Sequence, residues 1–146
     1  MTKLFLITRP NYDTATFYLH HFAKDAIKIA KKSKGVHVTD LEGKKAIRLN
    51  LEKSMSAENP GLVFLNGHGD KTAVWGHKDE VILDKKNISL SKNKIIYALA
   101  CDSLAQLGDL ATEQGAKAYI GYSDSFMIIR DLEFLNMKGN PEECFT

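Results

Sequence analysis

Short apolar runs alternate along the chain with longer segments in which apolar residues recur at helical spacing. Asp13 or Thr14 can begin a helix that continues to about Lys32, because its apolar residues recur every three or four positions and Gly35 follows. Buried strands are predicted for five runs, at residues 4–8, 36–41, 62–65, 95–100 and 118–120. Strands that alternate with helices predict an α/β fold with a mostly parallel central sheet and helices on both faces.

The segments between these runs have weaker patterns. Residues 46–55 fit either a helix or a strand, and residues 73–75 can pair with 81–83 in a small hairpin. A helix that ends at residues 114–115 follows the fourth run, and residues 127–136 are also predicted to be helical.

Composition narrows the class of protein. The 146 residues suit a single domain, and 20 basic against 18 acidic side chains leave a net charge of +2, which predicts no nucleic-acid partner. No apolar run approaches the roughly 20 residues of a membrane helix, and the apolar patch at residues 4–7 is too short for the core of a signal peptide. We therefore expect a cytoplasmic protein without a membrane partner. Cys101 and Cys144 cannot build a disulfide framework, which agrees with a reducing compartment.

Candidate chemistry follows two of the predicted strands. The run 62–65 gives way to NGHGD at residues 66–70, and the run 95–100 gives way to CDS at residues 101–103. Functional groups in open parallel sheets gather beyond the carboxyl ends of strands, and neighbouring strands lie about 4.8 Å apart. If the two strands are neighbours, His68 and Cys101 therefore meet in one crevice.

An imidazole beside a thiol is the minimum for a cysteine nucleophile. The thiolate is the reactive form, and His68 can take the thiol proton or protonate a leaving amine. A helix that starts after Cys101 would favour the thiolate, and Gly67 and Gly69 would let a substrate backbone approach. Each residue also has a structural interpretation, Cys101 as a small buried apolar residue and His68 as a structural histidine. Spacing alone does not decide between the two.

Residues 61–125 resemble the caspase-like (clan CD) cysteine peptidases, most closely the CHAT branch related to separase. In that family one apolar strand leads into a His-Gly pair, as in LVFLNGHG at residues 62–69. A second strand leads into the nucleophile, as in IIYALAC at residues 95–101. A helix and a Gly-Ala strand follow in CHAT domains, and here LGDLA at 107–111 precedes QGAKAYIGYS at 114–123.

The resemblance implies a three-layer caspase-like fold and a cysteine endopeptidase that cleaves proteins or peptides through a thioester acyl-enzyme. His68 and Cys101 would form the catalytic dyad, and the backbone N–H groups of Gly69 and Cys101 would form the oxyanion hole. Activation by an effector or partner protein is frequent in the family. CHAT relatives continue with further helices and strands, so residues 1–146 are expected to be a single peptidase domain that lacks its C-terminal part.

Substrate specificity does not carry over from the relatives. Many of them hold a basic substrate residue in an acidic pocket, but the Asp that metacaspase-type enzymes place two positions before the nucleophile is Leu99 here. Asp124 is our candidate for substrate binding, with Asp102 and Asp70 behind it. Helix capping by Asp102 and a turn at Asp124 are equally good interpretations.

Other residues indicate neither a metal nor a cofactor. The pair at residues 20–21 is His-His but has no Cys or carboxylate at ligand spacing, and no phosphate-binding glycine loop occurs. His77, with Trp75 and Asp79, can line a substrate cleft, although the tip of a charged hairpin is the favoured interpretation.

Two other functions remain open. The chain can be a catalytically inactive caspase-like domain that binds a partner or regulates it. It can also be a flavodoxin-like signalling or ligand-binding domain, an interpretation that a structure with His68 and Cys101 on distant strands would favour.

Overall fold

The computed structural model describes residues 2–126. Its strands and helices, in chain order, are β1 (Lys3–Arg9), α1 (Thr14–Lys32), β2 (Val36–Glu42), α2 (Arg48–Ala57), β3 (Leu62–Asn66), β4 (His68–Gly69), β5 (Val74–Trp75), β6 (Val81–Leu83), β7 (Ile95–Leu99), α3 (Asp109–Glu113) and β8 (Ala118–Ile120). A π-helical turn at Leu104–Gly108 leads directly into α3. The protein is therefore an α/β protein.

A five-stranded parallel sheet forms the centre of the fold, in the order β2-β1-β3-β7-β8. Helix α1 joins β1 to β2 and helix α3 joins β7 to β8, and both pairs are parallel because the connecting helix returns the chain to the same end of the sheet. A smaller antiparallel sheet, β4-β5-β6, begins two residues after β3 ends. The carboxyl ends of β1, β3 and β7 consequently lie side by side.

Alternate residues of β1 contribute to two separate apolar clusters. Phe5 and Ile7 pack with Ala23 and Ile27 of α1. The neighbouring Leu6 belongs to a second cluster, which includes Leu51, Met55, Val74, Ile82, Leu107 and Ala111. Because successive strand residues point to opposite faces, α1 covers one face of the sheet, and α2 and the small sheet pack against the other.

The elements predicted from the hydrophobic pattern are largely confirmed. All five strands are present, and the first predicted helix is α1, with Asp13 as its N-cap. Most of the ambiguous segment 46–55 is helical and belongs to α2, and the predicted hairpin is present as β5 and β6. Strand β4 escaped prediction because its two residues carry no alternating pattern. The helix predicted for residues 127–136 and the position of Cys144 fall outside the described residues.

Between residues 2 and 126, no helix has the length and apolar character needed to cross a membrane.

Candidate active site

His68 and Cys101 follow neighbouring strands at the same height. Strands β3 and β7 pair in parallel, with Asn66 opposite Leu99, and each of these residues precedes its candidate catalytic residue by two positions. The pairing continues one residue further, since the N–H of Gly67 donates to the carbonyl oxygen of Leu99 at 3.3 Å. Both candidate side chains are half-buried. The predicted adjacency of the two strand ends is therefore present.

Two glycines allow the chain around His68 to pass close to its neighbours. A Cβ atom on Gly67 would lie 2.2 Å from the carbonyl oxygen of Trp75. On Gly69, it would lie 2.9 Å from the Cβ of Ala100 and 3.0 Å from the carbonyl oxygen of Cys101. No side chain fits at either position without a backbone shift. Gly69 consequently places β4 directly against the end of β7.

The imidazole of His68 is held by a carboxylate that sequence reasoning had assigned only to a helix cap. Nε2 of His68 lies 2.6 Å from Oδ2 of Asp13, which follows β1 on the other side of β3. The hydrogen bond to Asp13 raises the pKa of His68, although burial opposes it. Burial would raise the pKa of Asp13, but the hydrogen bonds from His68 and Thr16 outweigh it and lower that pKa to about 2. The pair is therefore an ion pair whenever His68 is protonated.

Tyr12 was also missed as part of the site. Its ring packs edge-on against His68 and against His77, with centroid distances of 6.2 Å and 5.8 Å. Its hydroxyl donates a hydrogen bond to the carboxylate of Asp79, and burial and this bond raise the pKa of Tyr12. His77 and Asp79 form the connection between β5 and β6, so the hairpin tip expected there is present and Tyr12 links it to His68.

Cys101 lies outside the helix that follows it, contrary to the expectation that a helix start would favour its thiolate. The π-helical turn begins only at Leu104, and Asp102 between them has a left-handed backbone with φ 59°. This break separates Cys101 from the first helical N–H groups, so the positive end of the helix dipole does not lie next to the thiol. Within residues 2–126, Sγ of Cys101 makes no hydrogen bond, to His68 or to any other group. In uncomplexed enzymes, catalytic hydrogen bonds are often long and form only with substrate.

The two N–H groups assigned to an oxyanion hole are free of the sheet ladders. Asp70 donates to the carbonyl oxygen of Ala73, and hydrogen-bonded and non-bonded pairs alternate in antiparallel strands, so the N–H of Gly69 points away from β5. The N–H of Cys101 donates to no group in the described part of the chain. Neither N–H group is therefore used to pair the described strands with one another.

The three acidic residues proposed for substrate binding lie in two places. Asp102 and Asp124 are near each other beside Cys101, because the N–H of Asp102 donates to the carbonyl oxygen of Asp124 at 3.3 Å. The side chain of Asp102 accepts from Ser125 at 3.4 Å and makes no capping hydrogen bond to the helix. Asp124 accepts from the N–H of Ser125 at 2.8 Å, as a turn residue does.

Asp70 has a structural partner within its own turn. Its Oδ1 accepts from the N–H of Thr72 at 2.7 Å and from the hydroxyl of Thr72 at 2.8 Å. These bonds hold the turn between β4 and β5. Of the three acidic residues, Asp102 and Asp124 are therefore the pair that lies next to the thiol.

Among the residues described, no group of three or more His, Cys, Asp or Glu side chains is arranged to hold a metal ion. In comparisons with known proteins, neither a protein-family model nor a curated protein matches the sequence. The function must therefore be inferred from the chemistry of the site.

Proposed function

We propose that the protein is a caspase-like cysteine endopeptidase that cleaves protein or peptide substrates in the cytoplasm through a His68–Cys101 dyad. One observation carries the proposal: β3 and β7 are adjacent parallel strands, and each delivers one of the two residues at the same distance past its end. The resemblance of residues 61–125 to CHAT domains supports it, because the same order of strand, His-Gly, strand and Cys occurs there.

The proposed reaction has two stages, the formation of a thioester on Cys101 and its hydrolysis, and His68 accepts and returns a proton in each. His68 takes the thiol proton, and Sγ of Cys101 attacks the scissile carbonyl carbon to form a C–S bond. The negative oxygen that develops accepts hydrogen bonds from the N–H groups of Gly69 and Cys101. His68 then gives its proton to the leaving amine as the C–N bond breaks, leaving a thioester. Water attacks the carbonyl carbon of this thioester while His68 accepts a proton from the water, and the C–S bond breaks to release the carboxylic acid product. His68 then returns this proton to Sγ of Cys101, which restores the thiol and the neutral imidazole.

Substrate recognition is proposed for the loop beside the thiol. Asp102 directly follows Cys101 and its N–H donates to the carbonyl oxygen of Asp124, and two carboxylates near the thiol would attract a basic substrate residue. An activating partner or the substrate itself would bring the imidazole and the thiol into hydrogen-bond contact.

A second candidate is the catalytically inactive domain that binds a partner. The observation that favours it is the missing hydrogen bond between Cys101 and its surroundings among the described residues. The two candidates differ in the reactivity of the thiol. If the dyad is functional, iodoacetamide labels Cys101 faster than Cys144 at neutral pH, and His68→Gln removes this difference. Equal labelling rates in the wild type would favour the binding module.

Cleavage of a peptide library tests the proposed activity. The wild type is expected to cut a subset of peptides, and Cys101→Ala should lower the rate by at least about 10³-fold, because no other nucleophile replaces the thiol. Cys144→Ala is the matched control and should retain activity. Circular dichroism and thermal unfolding of both variants would establish that they are folded. Cleavage that persists in a folded, pure Cys101→Ala protein would overturn the proposal.

A further inference from the structure

Asp13 divides its two carboxylate oxygens between two tasks. Oδ1 caps helix α1, accepting from the N–H of Thr16 at 2.9 Å and from the Thr16 hydroxyl at 2.7 Å. Oδ2 faces the other way and lies 2.6 Å from Nε2 of His68. The cap is complete without Oδ2, since a serine or asparagine oxygen performs the same task in other helices. The helix cap therefore requires only one of the two carboxylate oxygens.

The contact with Asp13 determines which imidazole nitrogen carries the proton. An ionised carboxylate only accepts hydrogen bonds, so the hydrogen of neutral His68 lies on Nε2 and Nδ1 is left without one. The strand order β1-β3-β7 places Asp13 on one flank of His68 and Cys101 on the other. With Nε2 bonded to Asp13, Nδ1 is the imidazole nitrogen left to accept a proton.

We infer that Asp13 is a positioning residue for His68: it fixes the tautomer and the orientation of the imidazole so that Nδ1 serves the Cys101 thiol. The inference rests on the proposed function for its catalytic consequence, but the Asp13–His68 contact can be tested without any substrate. It adds a third residue to the proposed dyad, and this residue acts through His68 without touching the substrate.

The other groups around His68 do not replace Asp13. Asp79 also favours protonation of His68, but its carboxylate is bonded to the hydroxyl of Tyr12. Tyr12 and His77 contribute ring contacts, with Tyr12 lying between the two histidines. Asp13 is thus the group that both touches an imidazole nitrogen and bears the opposite charge.

Two substitutions separate the two tasks of Asp13. Asp13→Ser keeps an N-cap oxygen for α1 but is too short to reach His68. Asp13→Asn keeps the cap oxygen but replaces Oδ2 with an uncharged NH₂ group, which donates to Nε2 and moves the hydrogen of neutral His68 to Nδ1. Thr16→Val is the matched control, because it removes the hydroxyl bonded to Oδ1 and leaves Oδ2 on His68. If Asp13 acts only as a cap, Thr16→Val should disturb His68 as much as Asp13→Ser does.

The decisive measurement is an NMR titration of His68 in protein with ¹⁵N-labelled histidine. We expect the pKa of His68 to fall in Asp13→Asn and in Asp13→Ser. The Nε2–H tautomer should lose its dominance in Asp13→Ser and give way to the Nδ1–H tautomer in Asp13→Asn. Thr16→Val should lower the unfolding midpoint while leaving the His68 titration as in the wild type. An unchanged titration in both Asp13 variants would overturn the inference, whatever their activity.

Peptide cleavage then tests the catalytic consequence. The kcat/KM should fall roughly 10²-fold in Asp13→Ser and at least as far in Asp13→Asn, because an Nδ1 that is misplaced or already carries a hydrogen cannot take the thiol proton. The acidic limb of the pH profile should move to lower pH together with the measured pKa of His68, because His68 must be neutral to take the thiol proton. If the wild type cleaves no peptide, the proposed function is contradicted. If its His68 titration nevertheless depends on Asp13, the contact between Asp13 and His68 is still supported. Full activity and an unshifted profile in Asp13→Ser would contradict the positioning role.

Discussion

Two histidine–carboxylate pairs lie at the carboxyl ends of strands in the central sheet. The pKa of the imidazole is lowered in one pair and raised in the other. His20 of α1 lies 2.9 Å from Glu42 at the end of β2, measured from Nε2 to Oε1. His68 lies 2.6 Å from Asp13, which follows β1. Burial lowers the pKa of His20 despite its partner, whereas the hydrogen bond to Asp13 raises the pKa of His68 despite burial.

The groups beyond each pair explain the difference. Arg9, with a side chain only 5% exposed, lies 2.7 Å from Asp40 and 3.4 Å from Glu42, and its positive charge opposes protonation of His20. The charged groups that act on His68 are both carboxylates, Asp13 and Asp79. A carboxylate partner is therefore not sufficient to make a histidine basic, because burial and nearby positive charge together outweigh it at His20.

Among the substitutions that test the contrast between the two pairs, Arg9→Met should cause the largest loss of stability. Arg9→Met leaves Asp40 without its bidentate partner, so we expect a loss of about 3 kcal/mol in the free energy of unfolding. The pKa of His20 should rise because the opposing positive charge is gone. Urea unfolding and an NMR titration of the histidines measure the two effects.

Arg48→Met is the matched control for this variant. Arg48 also bonds two carboxylates, Glu52 at 2.8 Å and Asp84 at 3.0 Å, but its side chain is 27% exposed. Solvent screens such pairs, so the loss should be about 1 kcal/mol or less. Equal losses in the two variants, or an unchanged His20 titration in Arg9→Met, would show that Arg9 does not set the state of the first pair.

Removal of each histidine should change the pH dependence of stability in opposite ways. The pKa of His68 is raised on folding, so its contribution is fully present below the unfolded value of about 6.5 and is lost as the pH rises through the folded value. The pKa of His20 is lowered, so its contribution is present above about 6.5 and is lost as the pH falls through the folded value.

Urea unfolding between pH 5 and pH 9 measures these contributions. The stability difference between the wild type and His68→Gln should shrink as the pH rises, and the difference for His20→Gln should shrink as the pH falls. His37→Gln is the control, since this exposed histidine of β2 lies away from both pairs. Parallel pH slopes for His20→Gln and His68→Gln would refute the contrast between the pairs.

The sheet and the positions of His68 and Cys101 could be predicted because both depend on local pattern. Runs such as 62–65 are apolar on both faces, which marks a buried strand and draws attention to the polar residues after it. The contact of Asp13 with His68 joins residues 55 positions apart and depends on β1 pairing with β3, which hydrophobic periodicity does not encode. The available signal was a carboxylate shortly after β1, where the rule applied to β3 and β7 holds equally.

The backbone after β7 shows the other limit of prediction. Helical periodicity at Leu104 and Leu107 correctly indicated a helix but not where it begins. Asp102 takes a left-handed conformation that aspartate tolerates better than most residues, and this single residue moves the helix start away from Cys101. Apolar spacing carries no information about such a break.

Tyr12→Phe should cause the smallest loss of stability, and it tests whether Asp13 or Tyr12 determines the pKa of His68. The substitution removes only the hydroxyl bonded to Asp79 and keeps the ring against His68 and His77, so we expect a loss of about 1 kcal/mol in the free energy of unfolding. The His68 titration should remain close to that of the wild type, because the contact with Asp13 is untouched. Tyr12→Ala, which also removes the ring, is the companion variant and should cost more. If Tyr12→Phe lowered the pKa of His68 as far as Asp13→Asn does, the hydrogen bond between Tyr12 and Asp79 would determine that pKa. The hairpin tip, and not Asp13, would then be the source of the raised pKa in the second pair.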